Sequence, residues 1–94
     1  MEKQRLSKTI RLGKVYITPG AEREISAIDT NTAIIRHVCC DWGELCDEDW
    51  ELNNQAVGEG SRILSAYTSS NRIRFWIITE AGASATTILL PEEY

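Results

Sequence analysis

Residues 61–94 read as strand, turn, strand, turn, strand, and this pattern constrains the fold more than any other part of the chain. Arg62-Ile-Leu-Ser-Ala-Tyr67 is rich in branched and aromatic side chains, Ser69-Ser70-Asn71 supplies turn chemistry, and Ile73 to Thr79 and Thr86 to Leu90 give two further strands. With Ser70-Asn71 as a two-residue turn, Leu64 faces Ile77 and Ala66 faces Phe75, and Leu89 joins them from the third strand. On the opposite side Ile63 pairs with Ile78, Ser65 with Trp76 and Tyr67 with Arg74, alongside Ile88 and Leu90. Both sides are therefore partly apolar. One packs on helices; the other needs cover, and Ile63, Trp76, Ile78, Ile88 and Leu90 there make a patch large enough for an interface.

Upstream, Leu12 to Thr18 reads as a short strand with Val15 and Ile17 on one side. Pro19 suits the first turn of a helix that carries Ala21, Ile25 and Ile28 to about Asp29. Asp29-Thr-Asn-Thr32 offers cap oxygens for a second helix striped by Ile34, Ile35, Val38 and Cys39, broken at Asp41-Trp-Gly43. Asp47 caps a third helix that runs to Val57 and stops at Gly58-Glu-Gly60. The expected fold class is α+β: a small single domain over 12–94, two or three short helices on a three- to four-stranded, largely antiparallel sheet with a C-terminal β-meander. Residues 1–11 are expected to form a mobile basic arm.

A chain of 94 residues supports one core and a shallow site, with little room for a deep cofactor pocket. It has no apolar run of membrane-spanning length and no signal-like start, so no membrane is expected and the cytoplasm is the expected location. Cys39, Cys40 and Cys46 are odd in number and clustered, which suits reduced thiols better than a disulfide framework. The net charge of −4 conceals a polarity: residues 1–14 balance at +4, whereas Asp41, Glu44, Asp47, Glu48, Asp49, Glu51 and Glu59 give 41–60 a balance of −7. That pattern argues against a general nucleic-acid binder and points to an arm that meets an anion or an acidic patch that meets a basic protein.

No motif with catalytic spacing is present, and no catalytic residue is assigned. His37, Cys39, Cys40, Asp41, Cys46 and Asp49 lack the second ligand pair of a zinc site, and the acidic cluster lacks the alternating oxygens of a calcium loop. No metal or cofactor is expected. His37 reads as a hydrogen-bonded helix-end residue. Asn53 falls on the buried side of the third helix and either ties it to the Asp41 turn, the favoured reading, or lines a site; Arg62 poses the same choice, with an ion pair to Asp41 or Glu80 favoured. These five, His37, Asp41, Asn53, Arg62 and Glu80, are the structural polar set. Glu44, Asp47, Glu48, Asp49, Glu51, Tyr67, Arg74 and Trp76 are the candidate protein-binding set.

The residues Leu12-Gly-Lys-Val15, Thr18-Pro-Gly-Ala21, Arg36-His37, Asp41-Trp-Gly43, Glu48-Asp49, Asn53 and Arg62 to Tyr67, with the endings Phe75-Trp-Ile-Ile-Thr-Glu80 and Ala85 to Tyr94, carry a resemblance. The chain resembles a family of small uncharacterised bacterial proteins found on plasmids, phages and integrative elements. Cys40 stands where that pattern usually has glycine, and Gly82-Ala83 where it usually has Asp-Arg. The resemblance implies a mobile-element accessory protein and brings no reaction chemistry.

The expected function is non-enzymatic protein binding, interfering with or regulating a host defence or element protein through the acidic surface or the Trp76 side. One rival is a small nuclease or toxin-like enzyme with His37, Asp41, Arg62 and Glu80 converging. Another is a nucleic-acid regulator using Lys3 to Lys14. A two-sided sheet is also compatible with a homodimer.

Overall fold

The computed structural model describes residues 3–94; Met1 and Glu2, the start of the expected arm, lie outside the described residues. The elements are β1 (Lys14–Ile17), α1 (Pro19–Glu24), α2 (Ala27–Val38), α3 (Asp47–Glu59), β2 (Ile63–Thr68), β3 (Arg74–Thr79) and β4 (Ala85–Leu89). Short 3-10 turns follow β3 and β4. The α+β class is as expected, but the sheet is mixed: its order is β1-β4-β3-β2, and β1 runs parallel to β4. Three helices between β1 and β2 give the chain the long return that a parallel neighbour requires. No described helix is long and apolar enough to cross a membrane.

The hairpin between β2 and β3 differs from expectation by one residue. Ser65 pairs with Ile77, Ala66 with Trp76 and Tyr67 with Phe75. The turn holds three residues, Ser70, Asn71 and Arg72, closed by Arg72 N–H to Ser69 O at 2.9 Å and Ser69 N–H to Ile73 O at 2.9 Å. Arg72 takes a left-handed φ of 66°. A two-residue turn needs positive φ at both central residues, which Ser70-Asn71 supports poorly; a type I turn followed by one left-handed residue avoids that demand.

A one-residue slip turns β2 over relative to β3. Ile63, Ser65, Tyr67, Phe75, Ile77, Thr79, Thr86 and Ile88 now share the side that meets the helices. Leu64, Ala66, Arg74, Trp76, Ile78, Thr87 and Leu89 share the reverse, with Tyr16 beside Thr87. Ile63, Ile88 and Leu90 therefore leave the expected interface patch and enter the core. Ala21, Ile25, Ala33, Tyr67, Phe75, Ile77, Ile88 and Leu90 form one apolar cluster; Cys40, Trp42, Trp50, Ala56 and Ile63 form the second. Burying each large apolar side chain contributes about 1.5–3 kcal/mol.

The helices also start and face differently from the sequence reading. α2 begins at Ala27 with Ser26 Oγ accepting from Asp29 N–H at 3.1 Å, so Asp29 lies inside the helix rather than capping it. Thr30, Ala33 and His37 are its buried residues, while Ile28 and Ile35 are 78% and 65% exposed. Ile35 is thus not part of the buried stripe. α3 is preceded by Cys46 rather than capped by Asp47, and ends at Gly60 with φ 70°. The segment expected as a mobile arm is packed as a strap. Gln4 O accepts from Trp50 Nε1 at 2.9 Å and Asn54 Nδ2 at 3.0 Å, and Ile10 N–H reaches Val38 O at 3.0 Å. Leu6 and Ile10 pack against the second cluster.

Candidate functional site

His37 is completely buried beneath α2, and both ring nitrogens are bonded: Nδ1 lies 2.6 Å from Ser65 Oγ and Nε2 2.8 Å from Thr79 Oγ1. Thr79 Oγ1 lies 2.8 Å from Thr86 Oγ1, which donates to Leu12 O at 2.7 Å. The carbonyl at the end fixes the direction of the chain. Thr86 gives its proton to Leu12, so it accepts from Thr79; Thr79 then accepts from Nε2–H, and Nδ1 accepts from Ser65. Burial pushes the imidazole down to about 4, so it is neutral near pH 7. The Trp42 ring meets it edge-on at 5.6 Å. The ring ties α2 to hydroxyls on β2 and β3 and, through Thr86, to β4, closed to solvent.

Asp41 organises the turn after α2. Its carboxylate accepts from Arg36 Nε at 2.9 Å, Arg36 Nη2 at 3.3 Å and Gly43 N–H at 3.2 Å. Burial raises the carboxyl, but the Arg36 and Gly43 donors outweigh it and hold the group below its ordinary range. Tyr67 donates to Asp41 O at 2.8 Å, and the Arg36 guanidinium lies 4.9 Å from the Tyr67 ring centre. Tyr67 is 1% exposed on the helix side, so it leaves the candidate binding set. The turn also covers the outer edge of β2: Ala66 N–H donates to Trp42 O at 3.2 Å and Glu44 N–H donates to Ala66 O at 2.8 Å.

Asn53 is bonded as a buried amide must be, but to a different partner than expected: its Nδ2 donates to Leu64 O at 2.7 Å. The neighbour Asn54 makes the tie to the Asp41 turn, accepting from Trp42 Nε1 at 2.9 Å. Arg62 sits opposite Glu80, its Nε 3.4 Å from Glu80 Oε1, and its guanidinium stacks 5.1 Å from the Tyr94 ring centre. Tyr94 in turn meets Trp76 edge-on at 5.7 Å. Arg74 and Glu44, both in the candidate binding set, pair with each other at 3.3 Å, and Thr68 Oγ1 donates to the same carboxylate at 2.8 Å. His37, Asp41, Arg62 and Glu80 are not brought together: His37 is sealed on the helix side, whereas Arg62 and Glu80 pair at the edge of the sheet.

The remaining acids form a surface. Asp47, Glu48, Asp49 and Glu51 are exposed along the start of α3. Lys3 Nζ is 3.8 Å from Asp47, and no ion pair joins Glu48, Asp49 or Glu51 to a described base. Beside them a groove of about 420 Å³ runs between α3 and β2, lined by Leu45, Asp49, Leu52, Asn53, Arg62 and Leu64. Leu52 is 59% exposed at its rim. Through Leu64 and Arg62 this groove joins the reverse side of the sheet that carries Trp76 and Tyr94. Among the described residues no group of three or more His, Cys, Asp or Glu side chains is placed to hold a metal ion.

Four residues that sequence reasoning passed over hold this arrangement: Ser65, Thr79, Thr86 and Asn54. The three hydroxyls sit in strands at positions where alternation called for apolar side chains, which was their available signal. No family model matches the chain, and neither a curated protein nor a solved structure matches it.

Proposed function

We propose that the chain is a non-enzymatic binding protein, an accessory of a mobile genetic element that docks on a host or element protein. The observation that carries this reading is the acidic start of α3, where Glu48, Asp49 and Glu51 pair with no described base, lying beside an open groove that holds Leu45, Leu52 and Leu64. Acids alone at a helix start favour the helix dipole and explain themselves. Asp49 in the wall of a groove with three leucines adds something: the leucines provide buried area, and the neighbouring carboxylates select a basic partner and speed its approach. The sealed environment of His37 favours a binding role over acid–base chemistry, since its ring has no route to a substrate.

Affinity purification of the tagged chain from its host is expected to recover a defined partner. Changing Asp47, Glu48 and Asp49 together to lysine should abolish recovery, and Leu52→Ser should weaken it. Ile35→Ser on the far side of α2 should leave it unchanged. Absence of any partner, or recovery indifferent to charge reversal, removes this reading.

A further inference from the structure

A second concavity of about 340 Å³ lies at the far end of the sheet, where the strap crosses the last turn of α3 and the β3–β4 connection. Its walls come from three separate segments: Thr9 to Arg11, Ala56 to Ile63, and Thr79 to Ala83. Each wall is fastened by backbone. Gly82 N–H donates to Gly60 O at 2.9 Å, Ser61 N–H to Ala56 O at 3.1 Å, and Ile10 N–H to Val38 O at 3.0 Å. The cleft is therefore built in the free chain and does not wait for a ligand to assemble it.

The lining is mostly apolar, with Ile10, Ala56, Val57, Ile63 and Ala83 around the interior. Several of its polar groups are committed. Thr79 Oγ1 belongs to the His37 chain, Glu80 is paired with Arg62, and the carbonyls of Ala56 and Gly60 already accept hydrogen bonds. Besides the Thr9 and Ser61 hydroxyls, Arg11 is uncommitted: it is the one basic side chain of the lining, exposed at the cleft, and no ion pair joins it to a described carboxylate. Small-ligand sites combine an apolar body with one or two uncommitted polar groups that orient the guest. At the volume a water molecule occupies in the liquid, about 30 Å³, the space suits a guest of on the order of ten non-hydrogen atoms.

We propose that this cleft is a binding site for a small amphiphilic carboxylate, its apolar body between Ile10, Val57 and Ala83 and its head group on Arg11. A guanidinium favours a carboxylate over a neutral amide of the same shape because two charged hydrogen bonds form in one plane. The site is independent of the acidic groove, so either stands if the other fails.

The test is an NMR titration of the full chain with hydrocinnamate and with its neutral amide, followed through backbone amide shifts. Hydrocinnamate should shift Ile10, Val57 and Ala83 saturably at millimolar concentration, and the amide should bind more weakly. Arg11→Ala should weaken hydrocinnamate about tenfold and erase its advantage over the amide. Ser61→Trp, at an exposed rim position, should fill the cleft and remove both sets of shifts while the remaining spectrum stays native. The proposal is overturned by no saturable shift at these amides, by equal binding of acid and amide to the native chain, or by shifts that survive Ser61→Trp.

Discussion

Glu93 Oε1 accepts a hydrogen bond from Thr18 Oγ1 at 2.5 Å, fastening the last turn of the chain to the start of its first helix. The same carboxylate accepts from Gly20 N–H at 3.1 Å and Leu90 N–H at 2.9 Å. A side chain at Gly20 would meet it, since a Cβ there falls 2.5 Å from Oε2. Two short segments far apart in sequence, Thr18-Pro-Gly and Pro91-Glu-Glu, are thus one structural unit. The Thr18 hydroxyl, with the Leu90 and Gly20 N–H groups, holds the Glu93 carboxyl below its ordinary range.

Glu93→Ala should therefore lower the melting temperature more than Glu92→Ala, whose side chain takes part in no described hydrogen bond. A depressed carboxyl contributes stability at neutral pH that disappears as pH falls through its folded value. The gap between wild type and Glu93→Ala should accordingly close in acid. Equal melting temperatures for the two variants at pH 7 would contradict the role given to Glu93.

Two glycines in the same backbone region should respond very differently to alanine. Gly43 has φ 75° and a Cβ there would lie 2.0 Å from Ala66 O, whereas Gly60 has φ 70° and nothing within 4 Å. Gly60→Ala pays only for the left-handed backbone, about 1 kcal/mol. Gly43→Ala adds a collision with strand backbone that breaks the bridge covering β2, a loss of roughly 3 kcal/mol or more. Urea unfolding of the two variants separates strain alone from strain with collision.

How far the sequence reveals this fold can be judged from particular elements. The strands of the C-terminal meander and the stop of α3 at Gly60 follow from local chemistry, because β-branched runs and glycine act over a few residues. The register did not follow, since it hangs on Arg72 adopting a left-handed φ that its side chain does not advertise. That single residue turned Ile63, Ser65 and Tyr67 toward the helices, while Arg74 and Trp76 kept the side expected to lie away from them. α2 misled in another way: Ile28 and Ile35 point outward, and the helix packs through Thr30, Ala33 and His37. A buried histidine is tolerable only with both nitrogens satisfied, and its partners come from β2 and β3, beyond any local window. Of the candidate binding residues, Asp47, Glu48, Asp49 and Glu51 lie together as sequence suggested; their adjacency to Leu45, Leu52 and Leu64 is tertiary information.

Cys40 follows α2 with φ 62°, a position where glycine is free of steric cost. Its thiol is fully buried, 3.5 Å from Lys8 O, and burial raises it above its ordinary value. Cys40→Ala keeps the left-handed strain and loses the sulfur contacts, while Cys40→Gly loses the whole side chain but recovers about 1 kcal/mol of backbone strain. The glycine variant should be at least as stable as the alanine variant, against the usual order for buried positions. In the native chain a bulky thiol reagent should modify exposed Cys46 first and Cys40 only on unfolding.

The chain contains one histidine, which makes its titration separable from everything else. His37 titrates near 4 when folded and near 6.5 when unfolded, the difference arising from burial. Between those values the unfolded chain binds a proton that the folded chain refuses, so stability rises with pH across this window. The stabilisation is complete above pH 6.5, declines as pH falls, and is exhausted below about pH 4, where both states carry the proton. A difference of two to three pH units corresponds to about 3 kcal/mol. Urea unfolding at intervals from pH 4 to 7.5 should show that slope, and His37→Asn should remove most of it while lowering stability at pH 7 because Ser65 or Thr79 loses its partner. Carboxylates common to both proteins cancel in the comparison. Identical pH profiles for the two would mean that the His37 ring reaches water, and the sealed chain from Ser65 to Leu12 would then be wrong.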